Sequence, residues 1–370
     1  MRFDCSVVKN FRNCPELKIN WDPGINLILG RNGSGKTNLL ESLSILTGWG
    51  AFGRTRNVIS WTSEKLHASS LRASIGAEVS GEERFNITAE ISSKVSMRLD
   101  NKAISFTDLR LKFPSIIFLT SNINLIDGSP SARRLFIDRL CSLFFPIYAK
   151  RLADFKYIMR TRTLLLRQGK SPARTEIPFC ELGGWIMDKR REVILQLMSL
   201  IDREKITLSF IPSLTIPQTK KNSLASLQTS SQNITEELSC EFSGQEYLHN
   251  FLQANSKREL YAQRPLCGPN YDDLAIIISE NGRSASEALS RGQKRRLILY
   301  MIITAGKLIA AKLKRNPVLL FDDLTAELDA EGREWTYTQL AKTKWQIFIT
   351  APEKPFKTRK KFGGITLSLV

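Results

Sequence analysis

Apolar and polar positions repeat with different periods along the chain, and each change of period marks an element. Ile25-Asn26-Leu27-Ile28-Leu29 is a nearly unbroken apolar run, as a strand buried on both faces requires. After a glycine-rich stretch, Asn38 to Leu46 places apolar residues at helical spacing. Between Leu71 and Leu99 the period falls to two, most plainly in Phe85-Asn86-Ile87-Thr88-Ala89-Glu90-Ile91, which predicts an antiparallel sheet with one wet face. Short strands are expected around Phe3 to Val8 and Leu17 to Trp21, and a buried one at Phe113 to Leu119. A long helical stripe then runs through Phe136, Leu140, Leu143, Ile147, Leu152 and Phe155, with Pro130 in its first turn and Ser129 or Ser131 as cap. A second helix is expected from about Leu182 to Ile201. Residues 213–245, rich in Ser, Thr, Gln, Asn and Lys, read as a mobile loop, and order resumes near Lys257. Asp272 to Ile278 is a strand with an Asn281-Gly282 turn after it. A helix bearing Leu297, Ile298, Met301 and Ile302 and core strands at Pro317 to Phe321 and Gln346 to Thr350 complete an α/β pattern.

The stretch between the first buried strand and its helix carries chemistry. Gly30-Arg31-Asn32-Gly33-Ser34-Gly35-Lys36-Thr37 fits the G-x-x-x-x-G-K-S/T pattern in the strand–loop–helix context that gives the pattern meaning. Gly33 and Gly35 let the backbone curl so that N–H groups face a polyphosphate, and the helix N-terminus adds its positive dipole end. Lys36 is placed to reach the β- and γ-phosphates and the Thr37 hydroxyl to ligate Mg²⁺. The strand ending in Asp322-Asp323 supplies the other half: Asp322 as metal partner, Asp323 to orient and deprotonate the attacking water.

Composition sharpens this picture. Lys and Arg total 54 against 36 Asp and Glu, a formal charge of +18, so a polyanion such as nucleic acid is a natural partner. Six cysteines (5, 14, 141, 180, 240 and 267) are scattered without a C-x-x-C pair, which points to reduced cytoplasmic thiols rather than a zinc site. No apolar run approaches the ~18 residues of a membrane span, and Met1-Arg2-Phe3-Asp4 has no signal-like apolar core.

Leu289-Ser290-Arg291-Gly292-Gln293, opening a helix ahead of the acidic strand, resembles the signature motif of ABC-type ATPases, and Ala326-Glu327-Leu328-Asp329 resembles their D-loop. The resemblance implies an ATP-dependent homodimer in which Ser290, Gly292 and Gln293 meet the nucleotide of the other subunit. Three longer stretches are similar to the RecF family: the extended G-x-N-G-x-G-K-T-N-x-x-E form from Gly30 through Asn38 to Glu41, Gly128-Ser129-Pro130-Ser131-Ala132-Arg133-Arg134-Leu135-Phe136-Ile137-Asp138, and Gly268-Pro269-Asn270-Tyr271-Asp272-Asp273-Leu274. Phe11-Arg12-Asn13 resembles the N-terminal element of RecF and SMC heads, which implies a nucleotide contact for Arg12.

The resemblance implies an ABC-ATPase head, a phosphate-loop sheet beside an antiparallel layer, at residues 1–112 and 271–370, with an inserted helical lobe at 113–270. It implies ATP and Mg²⁺ as cofactors, slow DNA-dependent hydrolysis acting as a clamp timer, double-stranded or gapped DNA as ligand, and RecR, RecO and RecA as partners, with no membrane association. Candidate DNA contacts are Arg133, Arg134, Lys150, Arg151 and the tail residues Lys354, Lys357, Arg359, Lys360 and Lys361. Several positions depart from the family pattern. Asn270-Tyr271 replaces His-Arg, Thr120-Ser121-Asn122 stands in the Q-loop region, and the chain's two histidines, His67 and His249, lie far in sequence from Thr350, where many ABC ATPases carry a switch histidine. Two alternatives stay open: the ATPase subunit of a membrane transporter, and an ATP-binding scaffold that does not hydrolyse.

Overall fold

The structure, a computed structural model, describes residues 1–50, 52, 72–81, 83–92, 94–119, 124–202, 205–212, 243–324, 328–352 and 363–366. Residues 213–242 of the loop expected at 213–245, the tail cations, Thr120-Ser121-Asn122 and Ala326-Glu327 therefore lie outside the described residues, while Ser243 caps a helix that Gly244 and Gln245 begin. The chain forms two compact units, Met1–Ile123 with Ser290–Val370, and Asn124–Leu289. The strands are β1 (Arg2–Phe11), β2 (Cys14–Asn20), β3 (Ile25–Leu29), β4 (Ala73–Ser80), β5 (Arg84–Ile91), β6 (Val95–Leu99) and β7 (Lys102–Ala103). They continue with β8 (Ser115–Phe118), β9 (Ile206–Ile211), β10 (Asp273–Ile278), β11 (Val318–Phe321), β12 (Ile347–Ala351) and β13 (Gly363–Thr366).

The first unit holds two sheets. One is antiparallel in the order β2-β1-β4-β5-β6-β7, the other runs β13-β3-β12-β11-β8 with every neighbouring pair parallel. In β5 the alternation is literal: Phe85, Ile87, Ala89 and Ile91 are buried while Asn86, Thr88 and Glu90 face solvent. β3, β11 and β12 are buried at every position, as strands covered on both faces must be. Between the sheets, Phe3 meets Phe113 edge-on at 4.6 Å and Trp21 meets Phe348 at 4.9 Å. Gln346, 4% exposed, joins the layers: its carbonyl accepts from the Phe3 N–H at 2.7 Å and its amide donates to the Phe3 and Asp22 carbonyls at 2.8 and 2.9 Å.

The second unit packs helices Pro130–Phe144, Tyr148–Arg167, Glu176–Met198 and Gly244–Ala262 with the antiparallel pair β9–β10. The single stripe expected from Phe136 to Phe155 is two helices, broken at Phe145-Pro146-Ile147, because a proline excludes the helical conformation from the residue before it. The helix Gly244–Ala262 escaped the sequence reading up to Lys257; its buried residues are Gly244, Leu248, Leu252 and Glu259, too narrow a stripe to signal burial. Gly184 and Gly244 let two helices touch through their backbones: a Cβ on Gly184 would sit 2.1 Å from the Gln245 nitrogen. The unit boundaries differ from the expected ones for a pairing reason. β8 joins the parallel sheet beside β11, and β10 pairs with β9 in the helical unit.

Candidate functional site

In a parallel sheet, strands side by side deliver their C-terminal ends to one edge, where α/β folds bind ligands. β12 lies between β3 and β11, so the loop after β3, the acids after β11 and Thr350 near the end of β12 share that edge. The loop curls as its glycines allow: Gly33 has φ +85° and Gly35 φ +90°, conformations that side chains with a Cβ rarely adopt. The helix Lys36–Leu46 starts on Gly35 without a side-chain cap, leaving its first-turn N–H groups for an anion. Ser34 is buried and its hydroxyl has no hydrogen-bond partner among the described residues, which fits a loop that encloses a phosphate oxygen. Asn32 is exposed on the loop's outer rim.

Lys36 folds back on its own loop, donating to the carbonyls of Gly30 at 2.7 Å and Arg31 at 2.8 Å. Those bonds hold the ammonium over the space the loop surrounds. The Thr37 hydroxyl donates to Asp322 Oδ1 at 2.8 Å, which brings together two residues 285 positions apart. A hydroxyl and one carboxylate oxygen are the protein share of a Mg²⁺ site completed by substrate phosphates and water. Among the described residues no group of three or more His, Cys, Asp or Glu side chains could hold a metal.

Three residues in the site escaped the sequence reading. Asn13 braces the loop: its amide donates to the Gly33 carbonyl at 3.3 Å, and its carbonyl accepts from Asn38 at 2.8 Å. Its contact explains Gly35 a second time, because a Cβ there would lie 2.6 Å from the Asn13 side chain. Glu41, 2% exposed in the phosphate-loop helix, takes the Arg12 fork at 2.9 and 2.8 Å and also accepts the Phe52 N–H at 2.6 Å. Arg12 (φ +55°) is thus anchored beside the loop through Glu41. Thr350 joins the acids: its hydroxyl donates to Asp322 Oδ1 and accepts the Asp323 N–H, both at 2.8 Å. Glu41 lies in the extended loop pattern and Asn13 in the Phe11-Arg12-Asn13 element; Thr350 was marked in sequence only as the place where many ABC ATPases carry a switch histidine.

The second half of the expected site stands apart. Ser290 is the N-cap of helix Arg291–Leu313, and its hydroxyl accepts from the Gln293 N–H at 3.4 Å while the Gln293 side chain accepts the Ser290 N–H at 2.8 Å. Both residues are exposed, and Gly292 has open space where a Cβ would go. None of the three bonds to the phosphate loop; this corner presents a helix N-terminus to solvent. Asp329 caps the next helix by accepting from Gly332 at 2.7 Å.

Two of the expected DNA contacts are engaged within the second unit. Arg133 forks onto Asp273 at 2.7 and 2.8 Å and also donates to the Gly128 carbonyl at 2.9 Å, while Arg134 donates to the Asp272 carbonyl at 2.7 Å. Arg190, 3% exposed, completes this lattice by gripping Asp138 at 2.9 and 3.1 Å and Asp272 at 3.0 Å. Burial depresses the Arg190 pKa, but Asp138, Tyr148 and Asp272 more than reverse this and hold it above the ordinary value. The two stretches read as family signatures, 128–138 and 268–274, therefore grip each other inside the second unit. Arg151 lies over the Trp185 ring at 4.5 Å; Lys150 is exposed. The five described cysteines are free and buried, with burial pushing Cys180 up to about 11.

Residues 5–367 match the family described as RecF/RecN/SMC N terminal domain. The chain is 26% identical to the DNA replication and repair protein RecF of Heliobacterium modesticaldum, over 95% of this chain and 92% of that protein. It is 30% identical to RecF of Leptospira interrogans, over 94% of this chain and 90% of that protein. Among solved structures, the recombination mediator protein RecF-ATPrS in the RecFOR pathway superposes with a TM-score of 0.77 at 23% identity, covering 95% of this chain and 93% of that one. The fold is that of an ABC-ATPase head with an inserted helical lobe.

Proposed function

The chain belongs to the RecF family, and from that premise we propose that it is an ATP- and Mg²⁺-dependent clamp of DNA replication and repair that closes as a homodimer on duplex DNA near single-strand gaps. The observation that carries this reading is the Thr37–Asp322 hydrogen bond of 2.8 Å, which joins the phosphate loop to the acidic strand at a single point.

Each residue's task follows from its position. Lys36 exchanges the Gly30 and Arg31 carbonyls for phosphate oxygens, and Ser34 and the first-turn N–H groups close around them. Bound Mg²⁺ supplies charge neutralisation on the phosphates, and Thr37 and Asp322 are the side chains to hold it. Asp323 takes the proton of the attacking water. Its side chain is one methylene shorter than a glutamate, so hydrolysis is slow and serves as a timer. Ser290 and Gly292 offer their helix N-terminus to a partner's nucleotide, which accounts for a helix start left in solvent. DNA is gripped through its phosphates without base readout, an outcome the net charge of +18 favours. Lys150 and Arg151 remain candidates for this grip, whereas Arg133 and Arg134 serve the lobe's interior. On this reading the chain assembles with RecO and RecR, helps deliver RecA and acts in the cytoplasm.

The test is sedimentation with and without ATP–Mg²⁺, paired with a gel shift on duplex DNA across a salt series. Dimers and DNA complexes should require nucleotide, and Ser290→Arg should abolish both while leaving ATP bound. A chain whose assembly and DNA affinity ignore nucleotide refutes the clamp. The transporter alternative predicts instead no nucleotide-dependent DNA binding.

A further inference from the structure

Of the five residues of β12 only Thr350 is polar, and it is 1% exposed. A buried hydroxyl in an otherwise apolar strand weakens the strand unless its bonds do something that packing cannot. Here its one proton goes to Asp322 Oδ1 and its lone pair to the Asp323 N–H, both at 2.8 Å. Asp322 Oδ1 also receives the Thr37 hydroxyl, so two threonines, one in the helix Lys36–Leu46 and one in β12, converge on one carboxylate oxygen. Asp323, the next residue, has φ +51°, a left-handed conformation that side-chain-bearing residues adopt uncommonly, aspartate more readily than most. Register explains the convergence: Thr350 pairs with Ile28 of β3 on one side, and Ile349 pairs with Phe321 of β11 on the other.

We propose that Thr350 is a positioning residue of the hydrolytic site, whose single hydroxyl fixes the aim of the metal-holding carboxylate and the left-handed backbone of the water-activating one together. This rests on the nucleotide reading above. The backbone reversal at Asp323 turns successive carboxylates in different directions, and the bond to its N–H resists collapse of that reversal. The bond to Oδ1 keeps Asp322 aimed at Thr37 when the Thr37 hydroxyl turns away toward a cation.

The assignment separates metal binding from phosphate binding, because among the described residues the Thr350 hydroxyl bonds only Asp322 and Asp323 and reaches the phosphate loop through Asp322. Thr350→Val keeps shape and removes the hydroxyl, Thr350→Ala does so without crowding, and Thr350→Ser restores the hydroxyl. Binding of a fluorescent ATP analogue in EDTA should be equal in all of these and the wild type. In the presence of ADP, the Mn²⁺ concentration for half-saturation, read by electron paramagnetic resonance, should rise about tenfold in Val and Ala and stay near wild type in Ser, since one hydrogen bond to a charged group is lost. Single-turnover hydrolysis at saturating metal should fall by about tenfold or more in Val and Ala only, because Asp323 is mis-aimed even where metal is restored. A folded Val or Ala variant that binds Mn²⁺ and turns over like wild type overturns the assignment, as does a Ser variant as impaired as Ala. A wild-type chain that binds neither the ATP analogue nor Mn²⁺ with ADP overturns the nucleotide reading as well, so the two failures are distinct.

Discussion

Replacing Arg190 with Met tests whether the family-signature stretches are a structural latch. Arg190 is 3% exposed and donates to Asp138, Asp272 and the Pro269 carbonyl, while Asp272 is itself 1% exposed. Met fills much of the volume but leaves two carboxylates facing an apolar wall. Asp138 keeps a donor in the Tyr148 hydroxyl; the Asp272 carboxylate loses its guanidinium. Removing one partner of a buried ion pair costs about 3–5 kcal/mol, and for a unit of this size that is on the order of 10 °C in melting temperature. The assay is thermal and urea unfolding of wild type, Arg190→Met, and Arg190→Met combined with Asp138→Asn and Asp272→Asn. Because the deficit comes from stranded charge, neutralising both acids should recover part of it. A single variant within about 1 kcal/mol of wild type, or a triple variant that is the sum of its parts or worse, refutes the latch.

Three further outcomes are expected. Gly184→Ala should destabilise the chain by about 2–3 kcal/mol in urea unfolding, since the new Cβ meets backbone at 2.1 Å, whereas Gly292→Ala, in open space, should leave stability unchanged. Glu41→Gln should lower stability by about 2 kcal/mol and weaken ATP binding in equilibrium titration, because Arg12 and the Phe52 N–H both lean on that carboxylate. Asp323→Asn should leave ATP-dependent dimers intact in sedimentation while slowing single-turnover hydrolysis by about 10²-fold or more, the effect of removing a general base; unchanged turnover would point to the non-hydrolysing scaffold.

What the sequence disclosed followed from how local each signal was. The phosphate loop, the acidic strand and the alternation of β5 are contiguous, so period and motif were enough to find them. The roles of Arg133 and Arg134 were not legible, because a surface arginine and one that forks onto an acid 140 residues away look the same in sequence. The unit boundary was missed for the same reason: β8 and β10 are ordinary apolar strands, and only their partners say which unit owns them. Thr350 shows the limit most sharply, since its meaning lies in a register between strands and not in any spacing along the chain.

That register bears on why the site is built across three strands. The loop after β3 can grip phosphate alone, since Lys36, Ser34 and the helix start all belong to one segment. Hydrolysis needs a carboxylate aimed at the same point, and Asp322 reaches it through the Thr37 bond. β3 and β11 are not neighbours, so any sliding between them passes through β12, which pairs with both. Thr350 sits on that intermediate strand with both acids bonded to one atom. Displacing β12 by a fraction of an ångström would therefore weaken metal holding and water activation together, while phosphate gripping persisted. A clamp that must retain ATP before cleaving it can use that division, since the nucleotide stays bound on the loop until the acids come into line.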